Sequence, residues 1–260
     1  ARNQAFDACS GDLIQYLDAD DLLHPRKVEA QVRALRDEPE GTLAVSSTVH
    51  FDDGTDPDAG FRTESIDQVS WLTSQDPTRW LAHLWAPNDG WGMVQPGAWL
   101  TPRTVIEQVG PWDESISLDD DGEFFARAVA GSSGVRYTQT GVVYYRHFPN
   151  VDTLSSRRSR DALEGWLRSI DSKRECTLGQ HESARSSTVI EMLQVGLARQ
   201  YMNVAVESYP AYLDLSEAAE VRAGDLGHPT PPPFYGTWKG RLVRYLFGWK
   251  TARRLESMIR

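Results

Sequence analysis

Short apolar runs and amphipathic stretches alternate in the first part of the chain. Residues 13–17 form an apolar run of strand length that stops abruptly at a group of carboxylates. Pro25 then suits the first turn of a helix, which the pattern continues over residues 26–37. Residues 42–49 predict the next strand. This order of strand, helix and strand is typical of an α/β fold.

The same spacing predicts which faces are buried and where the later elements lie. Val28, Val32 and Leu35 fall on one face of the first of these helices, so we expect that face to contact the core. Helical spacing or strand length predicts the remaining elements: helices at residues 76–85, 102–109, 157–176 and 188–207, and two strands at 134–137 and 142–146. Polar turn formers predict loops at residues 54–70 and 88–90 and a proline-stiffened linker at 224–233.

The carboxylates after the first strand indicate a cation site. Asp18 and Asp20 point the same way in an extended backbone, so both can reach one hard cation and the phosphates that it carries. For Asp21 the alternatives are a helix cap or a turn. An EF-hand loop is excluded, because Leu22 and Leu23 replace a ligand and the required glycine.

Composition narrows the classes of protein. The 260 residues are 40% hydrophobic, enough for one domain with an appendage. The 27 basic and 37 acidic side chains give a net charge of −10, which argues against general nucleic-acid binding. Cys9 and Cys176 are too few and too separate for a disulfide framework, so a reducing compartment is expected. No run approaches the roughly 18 apolar residues of a membrane span.

The C-terminal tail reverses this charge. From Phe234 onward it has seven basic side chains against Glu256 alone, a net +6 that leaves −16 for the rest of the chain. Apolar and aromatic residues alternate with the basic ones, as in a helix that lies on an anionic membrane surface. A helix docked on the chain's own acidic domain is the alternative.

Three ordered blocks of sequence resemble a known family. The blocks are Ala1-Arg2-Asn3-Gln4-Ala5 with residues 11–21; residues 99–103, 110–114 and 119–127; and residues 142–147. They closely resemble the middle of family 2 glycosyltransferases of the GT-A fold, in which an Ala-Arg-Asn helix leads to a strand that ends in Asp-x-Asp.

The resemblance implies the fold and a division of the chain. Residues 1–155 would be a partial GT-A α/β domain, residues 156–226 a helical extension, and residues 227–260 a linker with a basic amphipathic tail. Two strand–helix units precede the Ala-Arg-Asn helix in the family, so on the order of 60–90 residues are expected ahead of Ala1. We therefore expect an N-terminally truncated protein and no activity from this stretch alone.

The resemblance also implies roles for particular residues. Asp18 and Asp20, with His147, would hold Mn²⁺ or Mg²⁺ against the donor diphosphate. Asp120 and Asp121 match the family's acidic pair, with Asp121 as the general base. Substrate contacts would come from five residues: Arg2, Asn3, Asp18, Trp99 and Arg146, the last of these on the phosphates. Residues 150–156 resemble the loop that closes on the donor.

Each role has a structural alternative. The acids at 119–123 also favour a helix N-terminus, and Glu123 is expected to pair with Arg127. His147 is either a metal ligand or an exposed loop histidine. Five tryptophans lie in residues 71–99; Trp85 and Trp99 at least are expected in the core, and for the others the alternatives are the core or a platform that stacks on an acceptor sugar.

The resemblance also implies the activity, that of a hexosyltransferase-like enzyme. It would move a sugar from a nucleotide-sugar to a hydroxyl acceptor, a glycan or a lipid-linked sugar, with inversion, in cell-surface polysaccharide or glycoconjugate synthesis. The alternative is a non-catalytic sugar- or nucleotide-binding or scaffolding module. The expected location is the cytoplasm, with the tail at the inner face of the membrane, and no nucleic acid is expected as a partner.

Overall fold

The computed structural model describes residues 1–60, 73–86, 94–148, 158–179, 186–231 and 238–259. Several expectations fall outside these ranges and are not addressed by it. They are those for Trp71 and Trp91, for the turn at 88–90, for the donor-closing loop at 150–156, and for the greater part of the loop at 54–70.

A mixed five-stranded sheet lies at the centre of the described structure. Its strands are β1 (Leu13–Ile14), β2 (Leu22–Leu23), β3 (Thr42–Asp52), β4 (Trp99–Pro102) and β5 (Gly134–His147), in the order β1-β4-β3-β5-β2. The two long strands, β3 and β5, pair in parallel, and the short strands pair antiparallel to their neighbours. Strand β3 is buried over nearly its whole length, as expected for an internal strand covered on both faces.

Helices cover the sheet and continue beyond it. They are α1 (Arg2–Ala8), α2 (Lys27–Leu35), α3 (Pro77–Trp85), α4 (Arg103–Val109), α5 (Asp120–Ala130), α6 (Arg160–Leu178), α7 (Ser187–Ser208), α8 (Leu213–Asp225) and α9 (Trp238–Ile259). Side-chain caps begin three of them, since Asp76, Ser159 and Ser186 each accept a hydrogen bond from a backbone N–H in the first turn. In the parts of the chain that the structure describes, no helix has both the length and the apolar character to cross a membrane.

Residues 134–147, expected as two strands, form a single one. The register with β3 slips between the pairs Ser46–Thr138 and Thr48–Val143, so the polar residues between 138 and 142 form an irregularity instead of a turn. Gly141 makes this possible, because its φ is +82° and a Cβ there would lie 2.4 Å from the Cα of Lys27. The first strand is also shorter than expected, since only Leu13 and Ile14 pair with β4.

Trp85 and Trp99, which were expected in the core, are found there, and Trp80 joins them. Trp80, Trp85 and Trp99 are each at most 2% exposed. The same hydrophobic cluster continues into α6 and α7, where Ile170 and Tyr201 are fully buried. The helical extension thus shares one core with the sheet, while the exact domain boundaries stay a prediction.

Helix α2 buries a face next to the one expected, not the expected face itself. Val28 and Val32 are more than a third exposed, whereas Lys27 and Gln31 are fully buried. The Nζ of Lys27 donates hydrogen bonds of 2.7 Å to the side-chain oxygens of Gln15 and Gln31. The amide of Gln31 in turn donates to the carbonyl oxygen of Ala98. These polar contacts, which apolar spacing does not reveal, fix α2 against the strands.

The burial of Lys27 makes stability depend on pH. Desolvation lowers the pKa of Lys27 to about 7, whereas an unfolded lysine titrates near 10.4. Between these values the unfolded chain binds a proton that the folded chain does not, so stability rises with pH by up to about 1.4 kcal/mol per pH unit.

We expect Lys27→Met to remove that slope. Urea unfolding at several pH values between 7 and 9.5 should show the variant gaining stability relative to the unmodified chain as the pH falls. Arg33→Met, which removes an exposed cation from the same helix, is the matched control and should keep the original slope. Parallel curves for Lys27→Met and the unmodified chain would contradict this prediction.

Candidate active site

The guanidinium of Arg2 joins the two acidic segments. From the first turn of α1, Arg2 Nη2 donates to Asp18 Oδ1 at 2.9 Å and Nη1 donates to Asp120 Oδ2 at 2.6 Å. Its Cζ lies 4.3 Å from the ring centre of Trp112, a cation–π contact that fixes the plane of the fork. The end of the Asp-x-Asp segment and the start of α5 are therefore neighbours, although they are about a hundred residues apart in the chain.

Asn3 supports this arrangement. Its side-chain oxygen accepts from the backbone N–H of Trp112 at 2.9 Å, and its amide donates to the carbonyl oxygen of Trp112 and to Glu114, each at 3.0 Å. These bonds hold the loop that presents Trp112 to Arg2. The structure thus uses Asn3, expected to contact substrate, to position the segment before α5.

The three carboxylates after β1 have different surroundings. Asp20 is exposed, and Asp18 retains an exposed side-chain fraction of 37% despite its bond to Arg2. Asp21 is buried, accepts from the backbone N–H of Arg146 at 3.0 Å, and does not cap α2. Burial raises the pKa of Asp21 to about 6, with the nearby charges of Asp20 and Asp18 adding to the shift. Of the two alternatives for Asp21, the turn is correct.

The acids before and within α5 have separate partners. Asp119, in the left-handed region at φ 69°, accepts from Lys173 Nζ and Ser169 Oγ, both at 2.5 Å, instead of capping the helix. Glu123 pairs with Arg127 at 2.6 Å, which confirms the expected i, i+4 pair. Asp120 is taken up by Arg2; burial raises its pKa and the guanidinium opposes that shift.

Asp121 is the acid of this cluster with the strongest perturbation. Its Oδ1 accepts only from the adjacent backbone N–H of Gly122, at 2.8 Å, among the described residues. It lines a narrow cavity with apolar side chains that include Trp85, Val94 and Trp99. Burial, followed by the charges of Asp119 and Asp120, raises the pKa of Asp121 to about 7. The charge of Lys173 opposes this shift.

Tyr145, in the block 142–147 but given no role by the resemblance, is electrostatically influenced by the same acids. Burial raises the pKa of Tyr145, and the four carboxylates that add to the shift are those of Asp21, Asp20, Asp121 and Asp18. One phenol on β5 is therefore within electrostatic range of both acidic segments. Sequence spacing gives no signal for this, because β5 alone brings Tyr145 beside them.

The remaining candidates are occupied by protein contacts. Arg146 donates to the carbonyl oxygen of Asp20 at 2.8 Å and to Asp53 at 2.7 Å. His147 Nε2 lies 2.8 Å from His50 Nδ1, with the two rings stacked at 5.0 Å. Trp99 is 2% exposed and stacks on Phe125, so it forms part of the buried wall of the cavity instead of an exposed platform. Arg146 and His147 thus lie at the site, with these polar atoms already engaged.

The donor set fits a cation that arrives with its ligand. Within the described residues no three His, Cys, Asp or Glu side chains are grouped to hold a metal ion. Mg²⁺ and similar ions, however, are commonly held by one or two carboxylates together with substrate phosphates. Asp18 and Asp20 supply two such carboxylates at a solvent-exposed edge.

Comparison with known proteins gives a family match for part of the chain and a likeness of fold. Residues 1–82, which include Arg2, Asp18 and Asp20, match the sequence model of glycosyl transferase family 2. No curated protein matches the chain. The crystal structure of S. aureus TarS superposes with a TM-score of 0.52 at 12% identity, over 86% of this chain and 40% of TarS. A structure of S. aureus TarS 1-349 in complex with UDP-GlcNAc gives 0.49 at 10% identity, over 87% of this chain and 71% of the other.

The matched segment and the fold together narrow the class of protein. Residues 1–82 are similar to glycosyl transferase family 2, and the described structure is an α/β fold of the GT-A type, similar to that of TarS. The likeness to TarS rests on the fold alone, and this chain spans 40% of the length of TarS.

The buried pair between Asp119 and Lys173 should be energetically coupled. Lys173 is 4% exposed on its side chain, so removing either partner leaves a buried charge without compensation, which typically costs about 3–5 kcal/mol. In urea unfolding we expect Lys173→Met and Asp119→Asn each to lose stability, and the double variant to lose less than both together. Arg168→Met, on the exposed side of the same helix, should cost less. Additive losses would contradict the coupling.

Proposed function

We propose that this chain carries the metal-binding and base-bearing part of an inverting glycosyltransferase. The enzyme would transfer a sugar from a nucleotide-sugar to a hydroxyl group of a glycan or a lipid-linked sugar. The observation that supports this most is the fork of Arg2, which brings Asp18 and the acidic start of α5 to one place. Such a transfer requires carboxylates that hold a cation on the donor side and a carboxylate of raised pKa that accepts the proton on the acceptor side.

On the donor side, Asp18 and Asp20 would hold Mn²⁺ or Mg²⁺. The bound cation would neutralise charge on the diphosphate and so favour its departure. Arg2 keeps Asp18 in place, and Arg146 anchors the carbonyl of Asp20, so both ends of the Asp-x-Asp segment are positioned by arginines. In this proposal Arg146 supports the cation site through its bonds to the carbonyl oxygen of Asp20 and to Asp53. His147 would join the cation only if its contact with His50 opened.

On the acceptor side, Asp121 would act as the general base. The acceptor oxygen attacks the anomeric carbon from the face opposite the leaving group, its proton passes to Asp121, and the bond to the nucleoside diphosphate breaks. A base works best when its pKa lies near the working pH, and that of Asp121 is about 7. Its neighbour Asp120 accepts a hydrogen bond from Arg2, whose charge opposes the rise in the pKa of Asp120.

The proposed reaction would take place in a reducing compartment. Cys9 and Cys176 are both free thiols, which supports the cytoplasm as the location. A role in cell-surface polysaccharide or glycoconjugate synthesis would place the acceptor at the membrane. A non-catalytic binding module would keep donor binding and lack turnover, so the two readouts below separate the possibilities.

The cation site can be tested by binding. In the full-length gene product, Asp18→Asn with Asp20→Asn should abolish Mn²⁺-dependent binding of a nucleoside diphosphate, measured by calorimetry. Asp7→Asn, an exposed change on α1, is the matched control and should bind as the unmodified protein does. The thermal unfolding of the double variant should remain cooperative, because two neighbouring carboxylates repel each other when no cation is present. Unchanged affinity would refute the proposed cation site.

The base can be tested by kinetics. Asp121→Asn should lower transfer by at least about 10²-fold, the lower end of what general-base assistance contributes, with donor affinity nearly unchanged. In the unmodified protein the rate should rise with pH through a midpoint near 7, because only the ionised carboxylate accepts the proton. A bound cation would move that midpoint downward.

Glu123→Gln is the control for that experiment. Glu123 pairs with Arg127 and Ser172, so its loss should lower stability while the pH midpoint is kept. Asp119→Asn should likewise reduce transfer less than Asp121→Asn does. If Asp121→Asn retained more than about a tenth of the activity, the base would have to be Asp120 or another group.

A further inference from the structure

Helix α9 consists of two segments with different surroundings. Gly248, at φ 82° and ψ 166°, interrupts the helical geometry in the middle of the element. We call residues 241–247 the leading segment and residues 249–255 the trailing segment. A residue with a side chain would be strained at this φ, so the glycine lets the two segments take different directions.

The trailing segment docks on the chain's own acidic helices. Lys250 Nζ lies 2.8 Å from a carboxylate oxygen of Glu220 on α8, and Arg253 donates to the carbonyl oxygen of Val206 on α7. The ring of Trp249 meets Tyr209 edge-on at 5.5 Å, and Ala252 is buried. For this half of the tail, the docking alternative raised by the sequence is the correct one.

The leading segment presents apolar side chains to solvent. Tyr245 is 86% exposed, Phe247 66%, Leu246 58% and Leu242 48%. Leu242, Tyr245 and Leu246 are spaced i, i+3 and i+4, so they share one helical face. A continuous patch of this kind on a water-soluble surface normally marks a contact with something else.

Charge limits what that contact can be. Arg241 and Arg244 belong to the leading segment, and no acidic residue occurs anywhere between Asp225 and Glu256. The rest of the chain carries −16, so an anionic surface is repelled by the body and attracted only by the tail. Aromatic and aliphatic side chains beside arginines, with carboxylates absent, are the composition of helices that lie in the headgroup region of anionic bilayers.

We propose that the leading segment of α9 binds the surface of an anionic phospholipid bilayer. The apolar side chains enter the boundary between headgroups and acyl chains, and the exposed side chain of Arg241 extends to the lipid phosphates, whereas Arg244 donates to the carbonyl oxygen of Pro231. The trailing segment, clamped to α7 and α8, then holds the rest of the protein beside the bilayer. This inference goes beyond the proposed transfer reaction and does not depend on it.

Vesicle co-sedimentation of the full chain tests the proposal. The unmodified protein should sediment with vesicles that contain phosphatidylglycerol and stay in solution with phosphatidylcholine alone, and the binding should weaken with salt. The fourfold variant Leu242→Ser, Tyr245→Ser, Leu246→Ser and Phe247→Ser should lose at least about tenfold in partitioning. These changes are preferred to deletion of the tail, because a deletion also removes the docked trailing segment.

Two further variants make the outcome decisive. Arg241→Gln should weaken binding to the anionic vesicles by about fivefold, since each basic residue near such a surface contributes about that factor. Val221→Ser, on α8, replaces another exposed apolar residue and should partition as the unmodified protein does. Equal sedimentation of the fourfold variant and the unmodified chain would overturn the proposal. So would a dimer, seen by sedimentation velocity without lipid, that the fourfold variant abolishes, because a second copy would then be the partner.

Discussion

The geometry of the candidate site depends on one guanidinium between two carboxylates. Asp18 and Asp120 carry the same charge and would repel each other if they were brought together without a cation. Arg2 lies between them, and its plane is set by the ring of Trp112. Asn3, the next residue of the helix, holds the backbone of Trp112. Two adjacent side chains of α1 therefore position both the guanidinium of Arg2 and the Trp112 ring against which it packs. A single turn of helix thus determines where the sheet edge and α5 meet.

The same arrangement explains why one acid of the cluster differs from its neighbours. Within the described structure Asp119 is compensated by Lys173 and Asp120 by Arg2, whereas Asp121 accepts only a backbone hydrogen bond. Desolvation therefore acts on Asp121 with little opposition, and its pKa rises to about 7. The negative charges of Asp119 and Asp120 raise the pKa of Asp121 further. Because Arg2 and Lys173 bind Asp120 and Asp119, Asp121 is left without a cationic partner among the described residues and can accept a proton near neutral pH.

Local patterns predicted what short-range physics determines. Three predicted features depend on neighbours in sequence, and all three are found. They are the helix that starts at Pro77 after the Asp76 cap, the pair between Glu123 and Arg127, and the helical tail. The meeting of the two acidic segments was implied by the resemblance, not by spacing. Apolar periodicity chose the wrong face of α2, because the buried amine of Lys27 is satisfied by Gln15 and Gln31 from different elements. Likewise no local signal marks the contact of His50 with His147, which requires β3 and β5 to pair first.

The helical extension belongs to the site for a steric reason as well as an electrostatic one. Asp119 is a non-glycine residue in the left-handed region, a conformation that costs about 1 kcal/mol or more unless contacts hold it. The contacts come from α6, where Ser169 and Lys173 bind its carboxylate. Folding back to reach them places Asp119 Oδ1 only 2.1 Å from where a Cβ of residue 122 would lie. A side chain at residue 122 would therefore have to displace the Asp119 carboxylate from its contacts with Ser169 and Lys173, so Gly122 suits the first turn of α5, which carries Asp121.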